Sequence, residues 1–183
     1  MIVELVSTGT ELLLGQIVNT NAAYLAEKLN ELGFSVLYQS TVGDNRERMA
    51  NVLKVALERA DIVITSGGLG PTLGDITKEV AAELLNLELK LHEPSKKEIE
   101  EYFAGRRIKM SENNLRQAMI PEGAVAIPNT CGTAPGVIIE AKGGKTVIHL
   151  PGPPRELKVM YEKSLIPYLQ KRFNKEGVIV SKV

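Results

Sequence analysis

The sequence predicts an α/β protein with helices on both faces of a mostly parallel β-sheet. Short apolar runs, typical of buried strands, alternate with segments of helical spacing through the first half of the chain. The length of 183 residues and the hydrophobic content of 44% suit one domain with a sizeable core. A glycine-rich turn, Thr65–Thr77, joins the third predicted strand to a helix, an arrangement that points backbone N–H groups at an anion.

The first half of the chain is predicted to form three consecutive βα units. The strands are expected at Ile2–Val6, Phe34–Thr41 and Asp61–Ile64. The helices that follow them are expected from Asn19–Asn21 to Gly33, over 46–59, and over 78–85. Gly33 can adopt the left-handed conformation that ends a helix, and Asp44 or Asn45 can cap the second helix. Strand, helix and strand in this succession favour parallel pairing.

The middle of the chain is less regular and carries a charged insertion. A helix is predicted from Glu93 through Phe103, and a shorter one over Leu115–Met119. The insertion holds four cations, which are Arg106, Arg107, Lys109 and Arg116. They form either a solvated surface, or a lid or basic wall beside a phosphate ligand.

The last third of the chain is predicted to add three strands and one long helix. The strands are expected at 124–127, 137–140 and 146–150, with the last two forming a hairpin. A helix over Leu157–Phe173 should break near Ile166, because Pro167 has no backbone N–H. Residues 1–173 are therefore assigned to the domain. Residues 174–183 are assigned to a linker and the start of a following segment, since the apolar run Val178–Val183 favours a chain cut from a longer parent.

Composition narrows the functional classes. Lysine plus arginine and aspartate plus glutamate number 22 each, so no broad attraction to nucleic acid or a membrane surface is expected. A single cysteine, Cys131, excludes an internal disulfide and fits a reducing compartment. With only His92 and His149 to accompany it, a zinc cluster is not expected. No apolar run approaches the ~20 residues that span a bilayer, so a cytoplasmic location is predicted.

Polar loops follow several of the predicted strands. In open α/β sheets, ligands bind outside the carboxyl ends of the strands, and this rule gathers the loops at one edge. The candidate binding residues are Thr8, Gly9, Glu11, Gly67, Gly68, Leu69, Gly70, Thr72, Asn129, Gly132, Pro151 and Gly152. Asp44 and Asp75 are the candidate catalytic residues and metal ligands, for a divalent ion such as Mg²⁺ or Co²⁺, because hard cations prefer oxygen ligands. Each aspartate, taken alone, is better explained as a helix cap, and the case for chemistry rests on both facing the same edge.

These motifs resemble the molybdenum-cofactor-biosynthesis fold of MoaB and MogA, and within it the N-terminal domain of the competence/damage-inducible CinA family. The resemblance runs from about Ile2 to Phe173. The segments that carry it are Ser7–Gly15, Asn19–Asn21, Thr65–Thr72, Asn129 with Gly132–Gly136, and Leu150–Glu156.

The resemblance implies a three-layer α/β/α sandwich, and it implies two alternative ligands. Members of the molybdopterin branch bind a pterin phosphate and use two aspartates, which fall here on Asp44 and Asp75. The CinA branch looks like a metal-dependent ADP-ribose pyrophosphatase, often followed by a nicotinamide-mononucleotide deamidase domain. A nucleotide- or pterin-binding domain without turnover, or a domain that only tethers a downstream deamidase, is the alternative. Relatives of this fold form dimers and trimers, so self-association is expected.

One position departs from the pattern of the CinA family. Its members usually have Gly-Pro-Thr-x-Asp-Asp, whereas this chain has Gly74 before Asp75. If the first acid of that pair binds metal or activates water, its replacement by glycine affects hydrolysis. If it only caps the helix, little changes.

Overall fold

The computed structural model describes residues 1–173, and its centre is a six-stranded sheet. The strands of the chain are β1 (Ile2–Thr8), β2 (Ser35–Val42), β3 (Ile62–Ser66), β4 (Leu89–Leu91), β5 (Met119–Pro121), β6 (Val125–Ile127), β7 (Gly136–Glu140) and β8 (Thr146–Leu150). The main sheet has the order β2-β1-β3-β8-β7-β6. β2, β1, β3 and β8 pair in parallel, while β7 is antiparallel to both of its neighbours. The predicted mostly parallel sheet is therefore confirmed.

Helices cover both faces of this sheet. They are α1 (Thr10–Leu13), α2 (Thr20–Glu31), α3 (Arg46–Arg59), α4 (Thr77–Leu84), α5 (Glu93–Gly105), α6 (Pro154–Met160) and α7 (Ile166–Phe173). Two 3₁₀ turns lie at Glu112–Ala118 and Lys142–Gly144, and a π-helical turn lies at Tyr161–Leu165. The expectations for 174–183 concern residues outside the described range.

Alternation along the strands divides the buried side chains into two cores. Val3 and Leu5 of β1 pack on the side of α2, α6 and α7, together with Leu25, Leu157 and Leu169. Val6 of β1 packs on the opposite side against α3 and α4, with Leu53 and Val80. Because successive residues of a strand point to opposite faces, one sheet serves both cores. This is a three-layer α/β/α sandwich.

The helix ends agree with the sequence in most places. Gly33 has φ +84° after the last turn of α2, and α3 covers the predicted 46–59. Asn45 caps α3 by accepting a hydrogen bond from Arg48 N at 3.0 Å, so Asp44 is free of that role. α4 likewise begins after Ile76 and has no side-chain cap, which removes the capping explanation for Asp75.

The long C-terminal helix is interrupted directly before Ile166, in agreement with the expected break. The chain makes one π-helical turn at Tyr161–Leu165 and returns to α-helix at Ile166, with Pro167 in the first turn of α7. Proline fits a first helical turn because its missing N–H needs no partner there. Tyr161 and Leu165, which lie in the π-helical turn, still pack in the core.

A second sheet of two short strands was not predicted. β4 pairs antiparallel with β5, and Leu89 lies opposite Pro121. Strands of three residues are too short to show an alternating pattern, so the sequence offered no signal for them. The helix expected at Leu115–Met119 is instead the 3₁₀ turn Glu112–Ala118, followed directly by β5. The pairing brings this turn back beside the glycine-rich loop.

The main sheet has its switch point at β1. The chain passes from β1 to β2 on one side and then to β3 on the other, so the connections leave β1 in opposite directions. Such a point opens a crevice outside the carboxyl ends of the strands. Among residues 1–173, none of the helices has the length and apolar character needed to cross a bilayer.

Candidate functional site

A cavity of about 620 Å³ lies at the carboxyl edge of the sheet, over the switch point. It is lined by residues at the end of β1 and by loops that follow β2, β3 and β8. The predicted residues that line it are Thr8, Gly9, Glu11, Asp44, Gly67, Gly68, Leu69, Gly70, Thr72, Asp75, Pro151 and Gly152. The topology therefore brings together side chains that lie far apart in the sequence.

The loop after β3 takes a conformation that requires glycine. Gly67 and Gly68 have φ +102° and +68°. A Cβ on Gly68 would lie 2.0 Å from Oγ1 of Thr77, and one on Gly67 would lie 2.6 Å from the Thr8 carbonyl oxygen. Gly67 N donates to Leu150 O at 3.0 Å, which ties the loop to β8.

The next three amides of this loop are available to a ligand. Among residues 1–173, the N–H groups of Gly68, Leu69 and Gly70 meet no hydrogen-bond acceptor. Consecutive unpaired amides next to left-handed residues form a concave site for anions. The N-terminus of α4 follows at Thr77, and its dipole favours negative charge near that end of the helix.

Asp44 and Asp75 are each oriented by a threonine. Oδ2 of Asp44 accepts from Thr10 Oγ1 at 2.8 Å and from Thr10 N at 3.3 Å. Oδ2 of Asp75 accepts from the hydroxyl of Thr72 and from Thr72 N at 2.9 Å. No hydrogen bond within the described residues reaches Oδ1 of either aspartate. Each carboxylate thus has one fixed oxygen and one oxygen available to a ligand.

The lining of the cavity is acidic. Glu11 and Glu156 join the two aspartates, and the lining contains neither lysine nor arginine. A Cβ on Gly9 would lie 2.6 Å from the Glu11 carboxylate, so that carboxylate packs tightly against the backbone. Within residues 1–173, no three histidine, cysteine, aspartate or glutamate side chains form a ready-made metal cluster. A cation here would have to take some of its ligands from a substrate or from water.

Two predicted binding residues, Asn129 and Gly132, lie outside the cavity lining. Asn129 Nδ2 donates to Ala134 O at 2.9 Å and to Oε2 of Glu156 at 2.7 Å. Its Oδ1 accepts from the amides of Cys131 and Gly132, at 3.0 and 2.8 Å. Asn129 therefore shapes its own loop and orients Glu156, which does face the cavity.

One of the four cations of the insertion reaches the glycine-rich loop. Arg116 donates to Thr72 O at 3.0 Å, to Asp75 O at 3.4 Å and to Oε1 of Glu79 at 3.3 Å. Arg116 braces the loop from behind without lining the cavity. Arg106 stacks on Tyr102, with its guanidinium 3.6 Å from the ring centroid, and Arg107 and Lys109 are exposed. Within residues 1–173, these cations therefore do not form a basic wall at the cavity.

Two buried ionisable side chains, Lys78 and His149, lie under the loop on the α4 side of the sheet. Lys78 is buried, and its ammonium donates to Arg116 O at 2.9 Å and Gln117 O at 3.2 Å. Burial lowers the pKa of Lys78 to about 8. His149 is fully buried with Nδ1 2.8 Å from Thr65 Oγ1. Burial first, and then the charge of Lys78, lower the pKa of His149 to about 3, so its imidazole is neutral.

Sequence reasoning missed Gln117 and gave Glu156 no role. Both line the cavity. Glu156 lies in the Leu150–Glu156 motif, which could have signalled it. Gln117 lies in the irregular insertion, and long-range contacts carry it to the site: β4 pairs with β5, and Lys78 donates to Gln117 O.

A concave site at the switch point of a mostly parallel sheet defines the class of this molecule. It is a three-layer α/β/α domain with a ligand-sized cavity at the carboxyl edge. The chain belongs to the family described as a probable molybdopterin binding domain, whose model matches residues 4–171.

Its relatives place it in the CinA branch of that family, as the motifs predicted. The protein CinA from Thermoplasma acidophilum is 34% identical, with a TM-score of 0.83 over 93% of this chain and 98% of that one. A CinA-like protein from Dictyoglomus turgidum is 52% identical over 98% of this chain and 43% of the relative. A putative competence-damage inducible protein from Clostridium novyi is 54% identical over 98% and 42%, respectively. The chain thus spans less than half the length of these curated relatives.

More distant likeness concerns the fold alone. The molybdopterin biosynthesis enzyme MoaB from Thermus thermophilus is 20% identical and has a TM-score of 0.62, over 95% of this chain and 97% of that one. The expected likeness to the MoaB and MogA fold is confirmed.

Proposed function

We propose that this domain is a metal-dependent pyrophosphatase that hydrolyses the diphosphate of a nucleoside diphosphate sugar, with ADP-ribose as its substrate. The observation that carries the proposal is a pair of threonine-oriented aspartates, each with one free oxygen, that line the same cavity as three unpaired loop amides. A diphosphate is anionic, and the loop amides offer it hydrogen bonds without adding charge.

The acidic lining supports a divalent cation as part of this site. Without positive side chains in the lining, a diphosphate would meet four carboxylates, and the repulsion would oppose binding. The donor set fits Mg²⁺ or a similar ion, which is commonly held by one or two carboxylates together with substrate phosphates. Asp44 and Asp75 would hold it, and when bound it would neutralise phosphate charge and lower the pKa of bound water.

The remaining chemistry is assigned to groups of the chain. Amides of Gly68, Leu69 and Gly70 hold the diphosphate, and Thr72 orients Asp75 through two hydrogen bonds. The carboxylates of Asp44 and Asp75 hold a water molecule in line with one phosphorus and accept the proton of that water. The water oxygen then bonds to that phosphorus while the bond to the bridging oxygen breaks. The products are AMP and ribose 5-phosphate.

The test is turnover of ADP-ribose by the chain with added Mg²⁺ or Co²⁺, followed as release of AMP. We expect Asp44→Asn and Asp75→Asn to lose at least about 100-fold in rate, since each removes a charged ligand. Glu58→Gln, at an exposed position of α3, is the matched acid-to-amide control and should keep wild-type turnover. Wild-type turnover that persists in both aspartate variants would eliminate this assignment.

Binding without turnover is a second candidate, and Gly74 favours it. The resemblance to the CinA family leads us to expect a carboxylate at this position, and within residues 1–173 no three acidic groups stand close enough together to hold a metal ion by themselves. In that case ADP-ribose or a pterin phosphate stabilises the fold, by about 2.7 kcal/mol at 100 times Kd, without product release. Thermal melts with each ligand separate the nucleotide from the pterin. A domain that serves only as a tether would show no shift with either.

A further inference from the structure

Glu156 places a carboxylate in the wall of the cavity, and the protein holds one of its two oxygens. Oε2 accepts a hydrogen bond from Nδ2 of Asn129 at 2.7 Å. Within residues 1–173, Oε1 of this half-buried side chain accepts no hydrogen bond, and it is not among the buried polar atoms that lack a partner, so solvent reaches it. Glu156 thus repeats the arrangement of Asp44 and Asp75, with one oriented oxygen and one oxygen open to a ligand.

Two contacts fix the position of this carboxylate. Asn129 is itself immobilised, because its Nδ2 also donates to Ala134 O at 2.9 Å and its Oδ1 accepts from two amides of its own loop. Gly132 makes the second contact, since a Cβ there would lie 2.6 Å from Oε1 of Glu156. The open oxygen therefore rests on the Cα of Gly132. The next two residues of the loop, Thr133 and Ala134, line the cavity together with Glu156.

The chemistry of the cavity limits what this oxygen can contact. A phosphate group carries negative charge, so a carboxylate repels it. Glu156 also does not complete a metal cluster with the aspartates, since within residues 1–173 no three acidic side chains stand close enough together to hold an ion. The partner must then be a hydrogen-bond donor, and a nucleoside diphosphate sugar carries most of its donors as ribose hydroxyls. A hydroxyl donates a short, charge-assisted hydrogen bond to a carboxylate, and dinucleotide-binding folds hold ribose in this way.

We propose that Glu156 is a specificity-determining residue whose Oε1 accepts a hydrogen bond from the 2- or 3-hydroxyl of a ribose in the ligand. This inference rests on the proposed nucleotide function. Asn129 and Gly132 act as the residues that position Glu156, which gives a role to two predicted binding residues that do not line the cavity. ADP-ribose contains two riboses with the same pair of hydroxyls. Its halves, AMP and ribose 5-phosphate, carry one ribose each and therefore tell the two sources apart.

The alternative is a structural Glu156 that only ties α6 to the loop through Asn129. Glu156→Met separates the two roles, since it keeps the length of the side chain and removes both oxygens. A structural Glu156 lowers the melting temperature when replaced and leaves the preference among ligands unchanged. A ligand-contacting Glu156 controls the ratio of affinities for a ribose and its deoxy analogue. This ratio is the readout, because the loss of one negative charge from the cavity affects all phosphate ligands alike.

The experiment is calorimetric binding in Mg²⁺ of AMP and ribose 5-phosphate, each compared with its 2-deoxy and 3-deoxy forms. We expect the wild type to bind one deoxy analogue at least about tenfold more weakly than its parent. In Glu156→Met this ratio should fall to about one. Glu58→Met, at an exposed position of α3, removes the same charge outside the cavity and should keep the wild-type ratio.

Gly132→Ala tests the position of the carboxylate while Glu156 remains in place. Gly132 is not among the glycines with positive φ, so alanine fits its backbone. Its methyl group would displace the flexible end of Glu156, whose Oε1 occupies that space. We expect the affinity ratio to fall in this variant as well, and a ratio equal to that of the wild type would overturn the position assigned to Oε1.

The outcomes separate this inference from the function on which it rests. Equal binding of each parent and its deoxy analogues by the wild type, or a ratio retained in Glu156→Met, overturns the role of Glu156 alone. A ratio that depends on Glu156 without hydrolysis of ADP-ribose upholds this inference and overturns the pyrophosphatase. A wild-type chain that binds neither half of ADP-ribose overturns the role of Glu156, and if it also leaves ADP-ribose intact, the pyrophosphatase is overturned with it.

Discussion

Gly74→Asp tests the acidic site at the position where the resemblance to the CinA family leads us to expect an acid. A Cβ at Gly74 would lie 3.5 Å from Asp44 Cβ and 3.7 Å from Asp44 Cγ, which is ordinary van der Waals contact. Gly74 is not among the glycines with positive φ, so an aspartate fits its backbone without strain. The new carboxylate would therefore stand beside Asp44 at the mouth of the cavity.

The size of the effect follows from charge and chain entropy. Two carboxylates ~5 Å apart repel by about 1 kcal/mol in water and about 3 kcal/mol at an effective dielectric constant near 20. Loss of glycine from the unfolded chain offsets about 0.4–1 kcal/mol of this. We expect the free protein to lose between about 0 and about 2.6 kcal/mol of unfolding free energy. A divalent ion relieves the repulsion, so its affinity should rise about tenfold, or ~1.4 kcal/mol.

The assay is calorimetric titration of Mg²⁺ and Co²⁺ into the wild type, Gly74→Asp and Gly74→Asn. The asparagine variant has the shape of aspartate without its charge and is the matched control. Only Gly74→Asp should bind metal more tightly, and it should also hydrolyse ADP-ribose faster. Equal metal affinities in all three proteins would refute the placement of the cation beside Asp44.

Three further predictions concern the scaffold of the site. Gly68→Ala should lower the free energy of unfolding in urea by about 2–3 kcal/mol and weaken ligand binding, because the methyl group at φ +68° would lie 2.0 Å from Thr77 Oγ1. A urea midpoint equal to that of the wild type would contradict this loop geometry. The pKa of His149 is lowered from 6.5 to about 3. Between these two pH values the imidazole of the unfolded chain binds a proton, whereas that of the folded chain does not. Stability should then fall as pH drops from 6.5 toward 3, with a contribution of up to about 1.4 kcal/mol per pH unit that is missing in His149→Gln. Arg59→Met should lower the free energy of unfolding by about 2–4 kcal/mol, measured by thermal or urea unfolding. The variant leaves the fully buried Glu4 carboxylate without the two hydrogen bonds of 2.7 and 2.8 Å that Arg59 donates. A loss below about 0.5 kcal/mol would show that this ion pair is dispensable.

The local elements could be predicted because their signals are local. α3 begins at Arg46 behind its asparagine cap and ends at Arg59, as its apolar spacing and its cap indicate. The glycines of the loop after β3 likewise predicted a backbone conformation that leaves no room for a side chain, and Gly68 adopts such a conformation with positive φ. The middle insertion gave weaker signals, since a 3₁₀ turn and two three-residue strands carry no clear period.

The sequence by itself determined the strands of the main sheet and their order along the chain, their mostly parallel pairing and the loops that gather at the carboxyl edge, because these follow from periodicity, caps and the handedness of βαβ connections. It also determined the family, since the motifs are specific. Tertiary structure alone decided which polar groups face the cavity. Asn129 turned inward to its own loop, whereas Gln117 came to the cavity wall through long-range contacts such as the pairing of β4 with β5. Contacts between residues distant in the sequence depend on packing in three dimensions, and no local pattern records them.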